Sequence, residues 1–172
     1  VQVNGLRKSY GKHTVLKGLD FTVRQGEIFA LLGVNGAGKT TALECMEGLR
    51  RYDGGDIHMM GKVGIQLHTA SLPEPLQAIA AGRMFAKWNK TVPDKSVLES
   101  FGIYEIAKKR YAQLSAGQKR RLHLALALIG NPDILFLDEP TAGLDVEGRL
   151  SLHEKIKQLK SPKLRTKRAL KL

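Results

Sequence analysis

Cysteine is all but absent from this chain: Cys45 stands alone, so no disulfide can close within it, and a reducing cytoplasm is the natural setting. Cys45 falls on a predicted helix, where packing is its expected role. Long apolar runs are also missing. The longest, Leu122–Ile129, is interrupted by His123 and is far too short to span a bilayer. Val1–Lys12 is polar and mixed, which predicts no secretory leader. Aromatics make up only 6% of the 172 residues, too few for the stacking surfaces of a single-strand nucleic-acid binder. Acids are scarce beside bases, 16 against 28, a net charge of +12. The excess is not gathered on a folded face: six Lys or Arg and no acid lie between Lys160 and the end. A nucleic-acid partner is therefore not expected, and residues 161–172 read as a solvated, disordered basic tail.

What is present suits one globular domain with a small inserted lobe: hydrophobic content is 42%, ordinary for a chain with a real core. Val15–Val23 mixes apolar and polar residues in near alternation and predicts a strand of a half-exposed sheet. Glu27–Leu32 is a short apolar strand running into Gly33, and a helix follows from about Gly38 to Leu49. Asp56–Met60 predicts another strand. Ser71–Arg110 is largely helical in pattern but broken by Pro73, Pro75 and Pro93, hence a separate lobe over about 71–115. Gly117–Ile129 predicts a helix, Asp133–Leu137 a buried strand, and Val146–Lys160 an amphipathic helix. Strands alternating with helices predict an α/β fold around a largely parallel sheet.

Gly33-Val34-Asn35-Gly36-Ala37-Gly38-Lys39-Thr40 fits a Gly, four residues, then Gly-Lys-Ser/Thr. Glycines let the backbone wrap an anion and aim N–H groups at it, and the following helix presents its positive end. Lys39 adds a charge for the β and γ phosphates of a nucleotide, and the Thr40 hydroxyl is an oxygen donor for Mg²⁺. Ile134–Leu137 delivers Asp138 and Glu139 to a strand end. Asp138 there would hold Mg²⁺, and Glu139 would orient the attacking water. Ser115, in Leu114-Ser115-Ala116-Gly117-Gln118, caps the helix that follows and opens an anion site.

The ordered set Gly33–Thr41, Gln66, Leu114–Gln118, Leu135–Glu139 and Ala142–Asp145 resembles the ATP-binding cassette of ABC proteins. Leu114–Gln118 is similar to the family signature, with Ala116 where Gly is usual, and Asp138–Asp145 is similar to its Walker B and D-loop. The resemblance covers about residues 1–160. It implies a P-loop NTPase core with an N-terminal antiparallel β part and an inserted helical lobe. It implies that ATP is bound by Tyr10, stacked on adenine, and by Gly33, Asn35, Gly36, Ala37, Gly38, Lys39, Thr40 and Thr41. Mg²⁺ would be held by Thr40, Gln66 and Asp138, with Glu139 catalytic. Ser115, Gly117, Gln118 and Asp145 would reach ATP on a second subunit, so the active form implied is a head-to-tail homodimer or a pair of ATP-binding subunits. Gly64–Leu67, Ala70–Pro73 and Gln118–Leu122 look most like the ATPases of bacterial drug or polysaccharide exporters. That implies a separate membrane permease and a place on the cytoplasmic face of the plasma membrane.

Two departures stand out. The stretch from Gly61 to Gln66 is shorter than the family's, and no apolar strand ending in a switch histidine follows Lys160. His153 lies inside a predicted helix and is no substitute. The expectation is a truncated chain whose sheet lacks the strand between those of the P-loop and of Walker B. The alternatives are an ATP-binding remnant without turnover, or a soluble ABC protein acting on ribosomes or nucleic acid.

Overall fold

The computed structural model describes residues 1–34, 36–66, 71–141, 144, 146–158 and 169–171. Strands β1 (Gln2–Tyr10), β2 (His13–Thr22) and β4 (Gly54–His58) form an antiparallel sheet in the order β2-β1-β4. Strands β3 (Ile28–Ala30), β5 (Val63–Gln66), β6 (Ile134–Leu137) and β7 (Ala169–Lys171) form a second sheet in the order β3-β7-β6-β5, with all pairs parallel. Helix α1 (Lys39–Met46) follows β3, and α2 (Ala78–Trp88) and α3 (Lys95–Ser100) fall in the stretch of about 71–115 expected to form an inserted lobe. Helix α4 (Ala116–Leu128) leads into β6, and α5 (Val146–Gln158) follows it.

β6 organises the core. Ile134, Leu135, Phe136 and Leu137 are all fully buried, and their alternation sends them to two different layers. Ile134 and Phe136 pack with Val3, Leu6, Leu16, Leu43 and Met46, from the antiparallel sheet and α1. Leu135 and Leu137 pack with Leu124, Leu128, Leu152 and Ile156, from α4 and α5. A strand covered on both faces reads as an unbroken apolar run, and each such side chain contributes roughly 1.5–3 kcal/mol by leaving water. The sheet thus separates α1 from α4.

The expected gap in the sheet is corrected by the structure. Ala169–Lys171 lies between β3 and β6, pairing Ile28 with Ala169 on one side and Leu135 with Ala169 on the other. The reason is the one that made a gap costly. Two neighbouring strands present backbone donors and acceptors that need partners, and three extended residues supply them. The predicted basic tail therefore contributes a strand; residues 159–168 lie outside the described ones. The short connection before β5 is also closed neatly. Asp133 accepts from the Lys62 N–H at 3.0 Å, while the Lys62 carbonyl accepts from Asp133 and Ile134. Gly61 turns there with φ 105°, and a β-carbon on it would fall 2.5 Å from the Asp133 carboxylate.

Candidate nucleotide site

The P-loop is shaped by backbone geometry that only glycine adopts freely. Gly36 and Gly38 have φ of 82° and 84°, and Gly38 caps α1 in the left-handed region. A β-carbon on Gly38 would meet Val15 Cγ1 at 2.8 Å and Leu16 Cδ2 at 3.0 Å, so the glycine seats the loop against β2 and lets α1 begin there. Lys39 curls back over the loop, with Nζ donating to the carbonyls of Gly33 at 2.8 Å and Val34 at 3.0 Å. An ammonium has three N–H bonds, so one more remains for an anion in the loop. Thr40 is exposed at the same helix start and Thr41 half-buried. Asn35 lies outside the described residues, as do Ala142, Gly143 and Asp145.

Gln66 and Asp138 are the two buried polar side chains of the described core. They are neighbours: the Asp138 N–H donates to the Gln66 carbonyl at 3.1 Å, extending the β5–β6 ladder by one bond. A buried carboxylate, a buried amide and the Thr40 hydroxyl are oxygen donors of the kind Mg²⁺ takes, with water completing the shell. These residues fit that ion. Glu139, one residue on, is exposed and takes φ 44°. That conformation costs energy for a residue with a side chain. Pro140 follows it, which disfavours a right-handed helical Glu139, and β6 has already ended at Leu137.

Ser115 and Gln118 form a capping box at the start of α4. The Ser115 hydroxyl accepts from the Gln118 N–H at 3.2 Å, and the Gln118 side chain accepts from the Ser115 N–H at 3.1 Å. A β-carbon on Gly117 would meet Leu144, at 3.7 Å. This segment belongs to the layer across the sheet from α1, so the structure does not bring Ser115 and Gly117 onto the same layer as the P-loop helix. Tyr10 ends β1 and is 43% exposed, with Lys8 and Arg50 beside its ring.

Four further residues bear on this region: Arg120, Tyr111, His123 and Glu47. Arg120 on α4 is pulled below its ordinary value by burial, while Asp138 and Glu139 act on it the other way, so a cation of the signature helix sits within the field of both acids. The Tyr111 hydroxyl and His123 Nε2 lie 2.9 Å apart, and burial, with Arg120 and Lys119, lowers the imidazole. A basic residue on a helix ordinarily reads as a solvated face, which hid Arg120. Glu47 closes α1, and its Oε1 is buried without a hydrogen-bond partner. Burial first, then Asp138 and Glu44, push its carboxyl up to about 7. An acid at a helix C-terminus opposes the macrodipole, the one hint the sequence offered.

Glu47 gives a testable pH dependence. Folded chains keep its proton over the interval from the ordinary 4.5 to about 7, where unfolded chains have lost it. Stability therefore falls as pH rises through that interval and is level above it. Glu47→Gln is expected to stabilise the protein by about 1–2 kcal/mol near pH 8, the shift being discounted for partial solvent exposure. Near pH 4.5 it should change little. Urea unfolding across this range, without nucleotide or magnesium, measures it; equal pH profiles for the two proteins would refute the assignment.

Known proteins resemble this chain in sequence and in fold. A family model described as ABC transporter matches residues 16–142. The linearmycin resistance ATP-binding protein of Bacillus subtilis is 35% identical over 177 residues, covering 92% of this chain and 57% of that protein. The Nod factor export ATP-binding protein I of Paraburkholderia xenovorans is 37% identical over 179 residues, covering 92% and 58%. The chain thus spans little more than half the length of these relatives. A solved ATP-binding subunit of an ABC transporter superposes with a TM-score of 0.83 at 26% identity, covering 99% of this chain and 78% of that one.

Proposed function

The chain belongs to the ABC transporter family, and from that membership we propose that it binds and hydrolyses Mg-ATP to drive a separate membrane permease. The observation that carries the proposal is the P-loop itself: Gly38 in the left-handed region, Lys39 turned into the loop, and α1 starting there. Among the described residues no helix is long and apolar enough to cross a membrane. The relatives named for resistance and export support an export system on the cytoplasmic face of a bacterial plasma membrane.

In this reading Gly33, Asn35, Gly36, Ala37, Gly38, Lys39, Thr40 and Thr41 hold the triphosphate, and Tyr10 stacks on the adenine. Thr40, Gln66 and Asp138 would hold Mg²⁺, which when bound offsets the phosphate charge. Glu139 accepts a hydrogen bond from the water facing the γ-phosphate, and positioning with charge stabilisation does the rest. Ser115, Gly117 and Gln118, set across the sheet from α1, would meet the nucleotide of a second subunit in a head-to-tail dimer, with Asp145 crossing the same interface. ATP binding without turnover is the second reading. It rests on one observation: the strand filling the central slot is Ala169-Leu170-Lys171, with no histidine.

The test is phosphate release by the chain in proteoliposomes, with and without a co-expressed permease. Mg-dependent release that the permease stimulates is expected. Saturable ATP binding with no release in either preparation would favour the second reading, and stimulation by RNA instead would overturn the transport role.

A further inference from the structure

The segment Leu49–Asp53 joins the end of α1 to β4. The contacts of Arg50 and Asp53 within it converge on the surroundings of Tyr10. Arg50 is fixed twice to Glu44 of α1: its N–H donates to the Glu44 carbonyl at 3.0 Å, and its Nε donates to the Glu44 carboxylate at 2.6 Å. The guanidinium carbon so placed lies 5.4 Å from the centre of the Tyr10 ring. Asp53 does the matching work from the strand side. Its N–H donates to the Arg7 carbonyl at 2.8 Å, and its carboxylate accepts from the Ser9 N–H at 2.6 Å and from Lys8 Nζ at 2.9 Å. Lys8 Nζ is then 5.5 Å from the same ring centre.

A cation within about 6 Å of an aromatic centre is attracted by the ring quadrupole. An exposed pair alone is worth little, but here each cation is itself tied down. The ring at the end of β1 consequently loses rotational freedom before any ligand arrives, and ordering a side chain in advance removes a cost from binding. With 43% of Tyr10 still exposed, ring area remains for a base. Glu44 lies five residues along α1 from Lys39, about 7.5 Å of helical rise. The helix that presents the phosphate cradle therefore also fixes the aromatic ring through Arg50.

We infer that Arg50 is a positioning residue for the nucleotide base, bracing the Tyr10 ring against the phosphate-binding helix so that base and triphosphate are held at a set separation. The inference rests on the reading of Tyr10 as the base platform. It makes Arg50 matter to ligands that have a base and not to ligands that lack one.

Calorimetric titration with Mg-ATP and with magnesium tripolyphosphate, which has no base, tests it. Arg50→Met should weaken ATP roughly twofold to fivefold, the scale of one exposed cation–ring contact, and leave tripolyphosphate affinity as it was. Glu44→Gln, which frees the guanidinium without removing it, should show the same split, and Arg50→Lys should recover part of the loss. Arg51→Met, the same charge change one residue on, should alter neither ligand. Tyr10→Ala should weaken ATP on the order of tenfold, as loss of base stacking does, and adding Arg50→Met to it should cost nothing more. Parallel loss of both ligands in Arg50→Met would overturn the inference, since Arg50 would then act on the helix and not on the base. An unchanged ATP affinity in Arg50→Met, with Tyr10→Ala weakened, would overturn the brace and leave the platform standing. An unchanged affinity in Tyr10→Ala would remove platform and brace together.

Discussion

Replacing Lys39 with alanine is expected to abolish tight Mg-ATP binding. The lysine is the one charged side chain of the P-loop, and its ammonium is already placed over the loop by the carbonyls of Gly33 and Val34. Hydrogen bonds to charged groups are worth about 1.5–3 kcal/mol each, and here the acceptor is a polyanion whose charge the loop must otherwise meet with backbone N–H groups and a helix end alone. The expected loss is on the order of a hundredfold or more in affinity, two to three such units of free energy at about 1.4 kcal/mol per tenfold. The variant must be shown to fold, because the lysine also ties the loop internally; a melting temperature within a few degrees of wild type suffices. Titration calorimetry then decides, and comparable ATP affinity in the two proteins would remove the P-loop assignment.

The second large effect falls on turnover. In the proposed reading Lys39, Thr40 and Asp138 act mainly on ATP and its magnesium. Glu139 is different: it is exposed, it follows the buried Asp138 by one residue, and its backbone takes a positive φ of 44°. Such strain persists where the surrounding structure holds it, and it clusters at working sites. Glu139→Gln keeps the shape but weakens the acceptor and removes the charge. Binding should survive while hydrolysis falls by a factor on the order of 10²–10⁴, the range for a positioned base. Loaded sites that cannot turn over should also favour the ATP-bound dimer. Single-turnover hydrolysis with a sizing column in ATP measures both. Hydrolysis at the wild-type rate would mean that Glu139 is not the base, though the binding assignment would stand.

The parts of the molecule legible in the sequence are those whose cause is local. The P-loop is a spacing, the cap of α4 is the pair Ser115 and Gln118, and β6 is four apolar residues in a row. β1 was not legible because Gly5, at φ 57°, shifts the register between Val3 and Leu6. The two buried residues of that strand, Val3 and Leu6, are then three apart, which breaks the strand period of two and matches a helix face instead. β7 was less legible still. Nothing in Ala169-Leu170-Lys171 marks a strand by itself; the unsatisfied backbones of β3 and β6 make it one. The same holds for the site. Gln66 and Asp138 could be named from motifs, but that they are joined by a hydrogen bond, with Asp138 acting on Glu47 and Arg120, depends on packing between distant segments.

The place of β7 sets a clock on the protein. Its partners in β3 lie about 140 residues earlier in the chain, a separation at the slow, non-local end of strand pairing. At a synthesis rate of about 5–20 residues per second, β3 and β6 exist side by side only after several seconds, and the strand between them arrives last. Until then the nascent chain displays two sheet margins in the crowded space near the ribosome. The antiparallel sheet, whose β1 and β2 are joined by a two-residue turn, can form almost at once. Assembly is thus ordered in time: the side that carries Tyr10 is made early, and the parallel sheet beneath the phosphate loop is completed late.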